Sequence, residues 1–213
     1  MTIRKELIDL KYEKAYLEIR DDDISERFSS LIRCVSDDEL LTKNEKSIII
    51  NKFNKDCDYF KVLYNQGHSQ KCEICNLNRL ATFYCENCIR NYLKSEFLLW
   101  SSGNNDIDEL IKSYQINTIA PNMIIEWIPY ENLENIEVLT KGGYDNTIYS
   151  AIWRNGHFIE WDSSKRKIKR TGSCNVILKY LENDEIANRN WFEEVLYLYI
   201  FLYFLYSLRN IYL

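Results

Sequence analysis

Glycine and proline are scarce in this chain, 6 and 2 among 213 residues, which leaves no room for a long flexible linker. Positive charge is not in excess either: 27 Lys and Arg stand against 32 Asp and Glu, a formal net charge of -5. Without a basic field there is no counterion-release drive toward phosphates, so sequence-independent nucleic-acid binding is excluded from the expected partners. The amino terminus, MTIRKELIDL, carries charge where a secretory signal needs an apolar region, and it has no small-residue cleavage site. An intracellular, cytoplasmic protein is expected. No solenoid-length repeat and no low-complexity tract interrupts the chain.

What is present is ordinary globular material, 46% hydrophobic and 28% charged, enough for one sizeable core or two small ones. Apolar residues recur at helical spacing as Ile8, Tyr12, Tyr16 and Ile19, then as Ile24, Phe28, Leu31 and Val35. Thr42 followed by Glu45 is a capping box, and Ile49, Phe53, Phe60 and Tyr64 carry a longer third helix to a stop near Gly67. Ile89, Leu93, Phe97 and Trp100 mark a fourth helix ending by Gly103, and Ile107, Leu110, Ile111 and Tyr114 a fifth. Near Pro121 the pattern changes to short Ile-, Val-, Tyr- and Trp-rich runs at 136–140, 148–154, 157–161, 168–170 and 175–181. These read as an antiparallel meander, with Asn155-Gly156 predicting a type I′ hairpin turn between the second and third runs. The expected class is α+β, with a helical module over 1–118 followed by a second module over 130–213. The one basic run, Lys165, Arg166, Lys167, Lys169 and Arg170, reads as a solvated strand or loop.

Seven cysteines in a reducing compartment are expected as thiols or metal ligands. Segment 72–88 reads CEICNLNRLATFYCENC, so Cys72, Cys75, Cys85 and Cys88 make two C-x-x-C pairs. A tetrahedral Zn(II) site needs four thiolates on two converging tight turns, and each pair supplies one such knuckle. The nine residues between the pairs suffice for a small hairpin built on the strand-like stretch 80–84. Four sulfur ligands leave no open coordination position, so this zinc is structural and fixes the helix before it against the helix after it. A redox dithiol is the other reading, and His68, four residues before Cys72, is an alternative ligand. Cys34, Cys57 and Cys174 stand alone on apolar segments and are expected as buried thiols.

The run 176–181, VILKYL, is apolar on both faces except for Lys179, and an ammonium on a covered strand needs a counter-charge. Glu194 is the candidate, because Trp191, Glu194 and Leu198 share one helical face, whereas Glu193 lies to one side of it. The alternative is an edge lysine whose ammonium reaches water.

A glycine turn between two strands (LTKGGYDNTIYSAIW, 139–153), a V-x-x-K strand (VILK, 176–179) and a helix carrying Glu resemble a protein-kinase small lobe. More narrowly, KCEIC, YCENCIRNYLKSEF, SSGNNDIDELI, EWIPYENLENI, LTKGGY, IEWD and NVILKYLEN are similar to the large kinase-like family expanded in mycorrhizal fungi. In that family a cysteine-paired helical region precedes the kinase domain, and the similarity covers about 40–195. The resemblance implies a partial kinase small lobe that holds ATP or another adenine nucleotide. Gly142 and Gly143 would cover the phosphates, Ile148 would lie over the adenine, Lys179 would contact the phosphates and Glu194 would hold Lys179. The chain departs from the pattern in the loop, one residue longer than the family's, where Thr140 and Asp145 fill two of three glycine places. It contains no H-R-D and no D-F-G, and its only histidines are His68 and His157. The implied protein is therefore a truncated, kinase-like ATP-binding lobe that transfers no phosphate by itself, with no catalytic residue to assign.

From 195 to 208 the chain reads VLYLYIFLYFLYSL, short of the approximately 20 apolar residues that span a bilayer. Three readings stay open: a helix that packs on an absent lobe, a partner-binding hydrophobic helix, and a tail anchor. The alternative function is a non-enzymatic, zinc-organised adaptor that contacts a protein partner through its helices.

Overall fold

The computed structural model describes residues 3–19, 23–141 and 147–179, with Lys141 and Lys179 described by their backbone alone. The chain divides at Cys85 and Glu86 into two compact units, and each is taken by itself. The change from helical to extended structure falls later, after Ile116.

In the first unit the three amino-terminal stripes become α1 (Lys5–Glu18), α2 (Ile24–Asp37) and α3 (Lys43–Tyr64). Asp23 caps α2 by accepting the Glu26 amide at 2.9 Å. The capping box of α3 is complete, since Thr42 Oγ1 accepts the Glu45 amide and the Glu45 carboxylate accepts the Thr42 amide at 2.9 Å. The helix stops where Asn65 takes a left-handed φ of 51°, two residues before the Gly67 expected to end it. Ile8, Tyr12 and Ala15 meet Phe28, Leu31, Val35, Leu41, Ile49, Phe53 and Cys57 in one core. At its centre Tyr12 stacks on Phe53 with centroids 5.0 Å apart, and Tyr16 meets Phe53 edge-on at 5.3 Å. Truncating the fully buried Phe53 to Ala costs about 3–5 kcal/mol.

Polar groups also fasten this bundle. Tyr12 and Tyr16 both donate to the Asp56 carboxylate, the latter at 2.8 Å. Burial pushes the Asp56 carboxyl up, and the two hydroxyls pull against that shift. Glu45, 2% exposed, accepts Arg4 Nε at 2.9 Å and Arg4 Nη2 at 2.6 Å in addition to its capping bonds. Arg4 and then the Thr42 amide hold its carboxyl well below the usual carboxylate range. Cys57 is buried, and burial raises its thiol. Cys34, expected inside, is exposed, because the inward stripe of α2 runs through Phe28, Leu31 and Val35 and leaves position 34 to one side.

The second unit begins with α4 (Glu86–Glu96) and α5 (Asn105–Ile116). The fourth helix stops before Phe97 and Trp100, which the periodicity had included. Asn104 caps α5, and buried Asp108 accepts Ser101 Oγ at 2.6 Å and the Ser102 amide at 2.7 Å. Two 3-10 turns, Pro121–Met123 and Tyr130–Asn132, lead into the strands. These are β3 (Leu133–Lys141), β4 (Thr147–Trp153), β5 (Phe158–Asp162), β6 (Lys167–Arg170) and β7 (Cys174–Lys179), with β1 (Gln70–Lys71) and β2 (Asn78–Arg79) lying earlier in the chain.

The strands do not form one meander. β3, β4 and β7 make an antiparallel sheet in that order, and β5 pairs with β6 alone. Asn155-Gly156 is accordingly a corner between two sheets and no hairpin turn, and Asn155 lacks the positive φ that a type I′ turn requires. Gly156 is needed there for closeness: at φ 63°, a Cβ would lie 1.9 Å from the Gly172 carbonyl oxygen and 2.1 Å from Thr171 Oγ1. Ala151 and Trp153 face the core, whereas Ile177 is 73% exposed, so the strand carrying Lys179 is not covered on both faces as expected. Inside the unit the Arg170 guanidinium lies 3.8 Å from the Phe158 ring centroid and bonds the Glu126 carboxylate. Lys169 pairs with Glu160 at 3.2 Å, so the basic run is partly neutralised at home. No helix among the described residues is long and apolar enough to cross a membrane, and the stretch 195–208 lies outside the described residues.

Glu45 sets a testable pH dependence for the helical unit. Its depressed pKa contributes stability that is present above the unfolded value of roughly 4.3 and is lost as pH falls toward the folded value. Urea midpoints at pH 7 and pH 3 measure it. Glu45→Gln is expected to lower the midpoint at pH 7 and to shrink the difference between the two pH values.

Candidate metal centre

The segment between α3 and α4 has little regular structure of its own, and its path is set by turns. β1 (Gln70–Lys71) and β2 (Asn78–Arg79) pair antiparallel, with Gln70 opposite Arg79 and Lys71 opposite Asn78. The first cysteine pair occupies the turn that this hairpin closes. The Asn76 amide donates to the Cys72 carbonyl and the Cys72 amide to the Leu77 carbonyl, both at 2.9 Å, and Asn76 adopts φ 58° to complete the bend. The Ile74 amide points at Cys72 Sγ at 3.4 Å, a donor suited to a thiolate. The hairpin thus encloses the first pair, and the expected strand at 80–84 is absent; that stretch is irregular.

Two anchors replace the missing ladder. Arg79 Nη1 donates to the carbonyls of Ala81 at 2.9 Å, Thr82 at 2.5 Å and Tyr84 at 3.1 Å. Asp58 of α3, 1% exposed, accepts the Phe83 amide at 2.8 Å. The backbone then enters α4, where Cys85 immediately precedes the first helical residue and Cys88 is the third. The macrodipole at a helix start favours anionic sulfur.

All four sulfurs, of Cys72, Cys75, Cys85 and Cys88, lie within 4.8 Å of one another, and Cys75 Sγ and Cys85 Sγ are 3.6 Å apart. Zn–S bonds of about 2.3 Å put tetrahedral sulfurs about 3.8 Å apart, so the cluster has the dimensions of a Zn(Cys)4 site. None of the described cysteines is in a disulfide. His68 is exposed and stands outside the cluster. Four soft ligands close the coordination sphere, which suits a structural ion and leaves no place for substrate or water.

The residues expected to hold a nucleotide are only partly described. Ile148 is half-buried on β4, and its register partner on β7 is Lys179. Gly142, Gly143 and Glu194, and with Glu194 the expected ion pair to Lys179, lie outside the described residues.

Sequence reasoning missed Asp58 and Arg79. An aspartate inside the apolar stripe of α3 and an arginine between ligand pairs were the available signals, and neither has a characteristic spacing. No protein-family model matches the chain, and no curated protein or solved structure matches it either.

The cluster predicts one zinc per chain, measurable by metal analysis of protein purified without chelator. Cys85→Ser with Cys88→Ser is expected to retain less than a tenth of that metal. Chelation of the parent should lower its melting midpoint, since at this length each 1 kcal/mol lost moves it by about 2–4 °C.

Proposed function

We propose that this chain is a zinc-organised, non-enzymatic interaction module. The observation that carries the reading is the approach of four cysteine sulfurs to within 4.8 Å of one another on two tight turns. A closed tetrathiolate ion has no acid, base or open site to offer a substrate, so its chemistry is cross-linking. It joins the ends of segment 72–88, and it thereby fixes the loop between them. That loop displays Leu77, 51% exposed, and Phe83, 50% exposed, two apolar side chains suited to contact with a protein partner.

A second reading is the kinase-like nucleotide half-site, and the register of Ile148 with Lys179 across β4 and β7 favours it. In a small lobe of that kind a glycine loop covers the phosphates and the phosphate-contacting lysine lies on a strand. The chain supplies no H-R-D base and no D-F-G metal ligand within its 213 residues, so in this reading it holds nucleotide without transferring phosphate.

One thermal-shift series separates the two. Zinc chelation is expected to destabilise the protein, and ATP with Mg(II) to leave its melting midpoint unchanged. A nucleotide held at tenfold its Kd would add about 1.4 kcal/mol, so a shift abolished by Lys179→Met would transfer the assignment to the half-site. In either case incubation with radiolabelled ATP should leave no label on the protein.

A further inference from the structure

We infer that Arg79 is the positioning residue of the metal centre, locking the two cysteine turns in mutual register so that four sulfurs converge before the ion arrives. The inference rests on the zinc reading of the cluster and extends it to a residue that carries no ligand atom.

Arg79 stands at the end of β2, opposite Gln70 of β1, and therefore belongs to the hairpin whose turn carries Cys72 and Cys75. Its Nη2 lies 3.5 Å from Gln70 Oε1 on that hairpin. From the same guanidinium Nη1 reaches forward to the carbonyls of Ala81, Thr82 and Tyr84, the last of them adjoining Cys85. One rigid, planar group thus spans from the first cysteine turn to the approach of the second. Asp58 pins the same stretch from the other direction through the Phe83 amide. No strand ladder does this work, because 80–84 pairs with nothing in a sheet among the described residues.

The chemistry favours arginine over lysine at this point. The two hydrogens of Nη1 are shared among three carbonyls in directions fixed by the guanidinium plane, whereas an ammonium on a flexible stem loses more freedom for each bond it makes. Four thiolates on Zn(II) also leave a net charge of about -2, and a fixed cation within the ligand loop offsets it. Preorganisation of this kind changes metal affinity without changing ligand identity or number. Groups that hold metal ligands in place are commonly worth about 10–100-fold in affinity.

The test uses the full chain, titrated with Zn(II) against a competing chelator and with Co(II) to read the thiolate charge-transfer and d–d bands. Arg79→Ala is expected to bind one metal with an unchanged tetrahedral Co(II) spectrum and an affinity lowered about 10–100-fold. Arg79→Lys should fall between parent and Ala, and Gln70→Ala, at the long 3.5 Å contact, should stay within about threefold of the parent. An Arg79→Ala protein within threefold of the parent would overturn the inference while leaving the zinc reading intact. A parent that binds neither Zn(II) nor Co(II) would overturn both. If Arg79→Ala fails to fold by circular dichroism, Arg79→Lys decides, and parent-like affinity in that variant sinks the proposal.

Discussion

Convergence of two cysteine turns is the constraint on which the middle of this protein depends. Between Tyr64 and Glu86 the regular structure amounts to two strands of two residues each, far too little to hold a chain by ladder bonds. Turn bonds shape the first pair, a helix start receives the second, and Arg79 with Asp58 bridge the interval. A tetrahedral ion would add the strongest cross-link available to a segment that cannot build an apolar core of its own. Four sulfurs within 4.8 Å of one another have the dimensions of a tetrahedral ligand set, which is the geometric reason to read the cluster as ligands.

Buried and half-buried carboxylates recur as fasteners in both units. Glu45 ties the start of α3 to Arg4, Asp56 gathers two tyrosines, and Asp58 holds the ligand loop. In the second unit Asp108 closes the turn before α5, and Glu126 takes Arg170 and the Phe158 amide. Each is a charge withdrawn from water that is tolerated because donors surround it. Removing a donor would leave the carboxylate withdrawn from water and uncompensated, which destabilises the fold.

The strand pairing shows how a correct local pattern can mislead. The runs at β4 and β5 are rich in β-branched and aromatic residues, and an Asn-Gly between them is a strong hairpin signal. Yet β4 spends its second edge on β7, with Trp153 opposite Cys174 and Ile148 opposite Lys179. Gly156 serves the crossing instead, giving the room that Thr171 and Gly172 require where the chain returns. A β-rich composition states that a segment is extended and says nothing about which segment lies beside it.

By itself the sequence determined the mixed α+β class, the three amino-terminal helices with their capping box, and the four cysteines that come together. Each of these rests on short-range chemistry: a 3.6-residue period, a side chain reaching three residues along the chain, and two ligands on one tight turn. Only the tertiary structure decided that Glu45 binds Arg4 across 41 positions, that Asp58 reaches Phe83 across 25, and that Arg79 fastens the ligand loop. It also decided that Cys34 faces outward and that β4 pairs with β7. Those outcomes depend on which surfaces meet once the helices and strands have formed. Packing and the need to satisfy every buried charge select them, and neither leaves a fixed spacing in the chain.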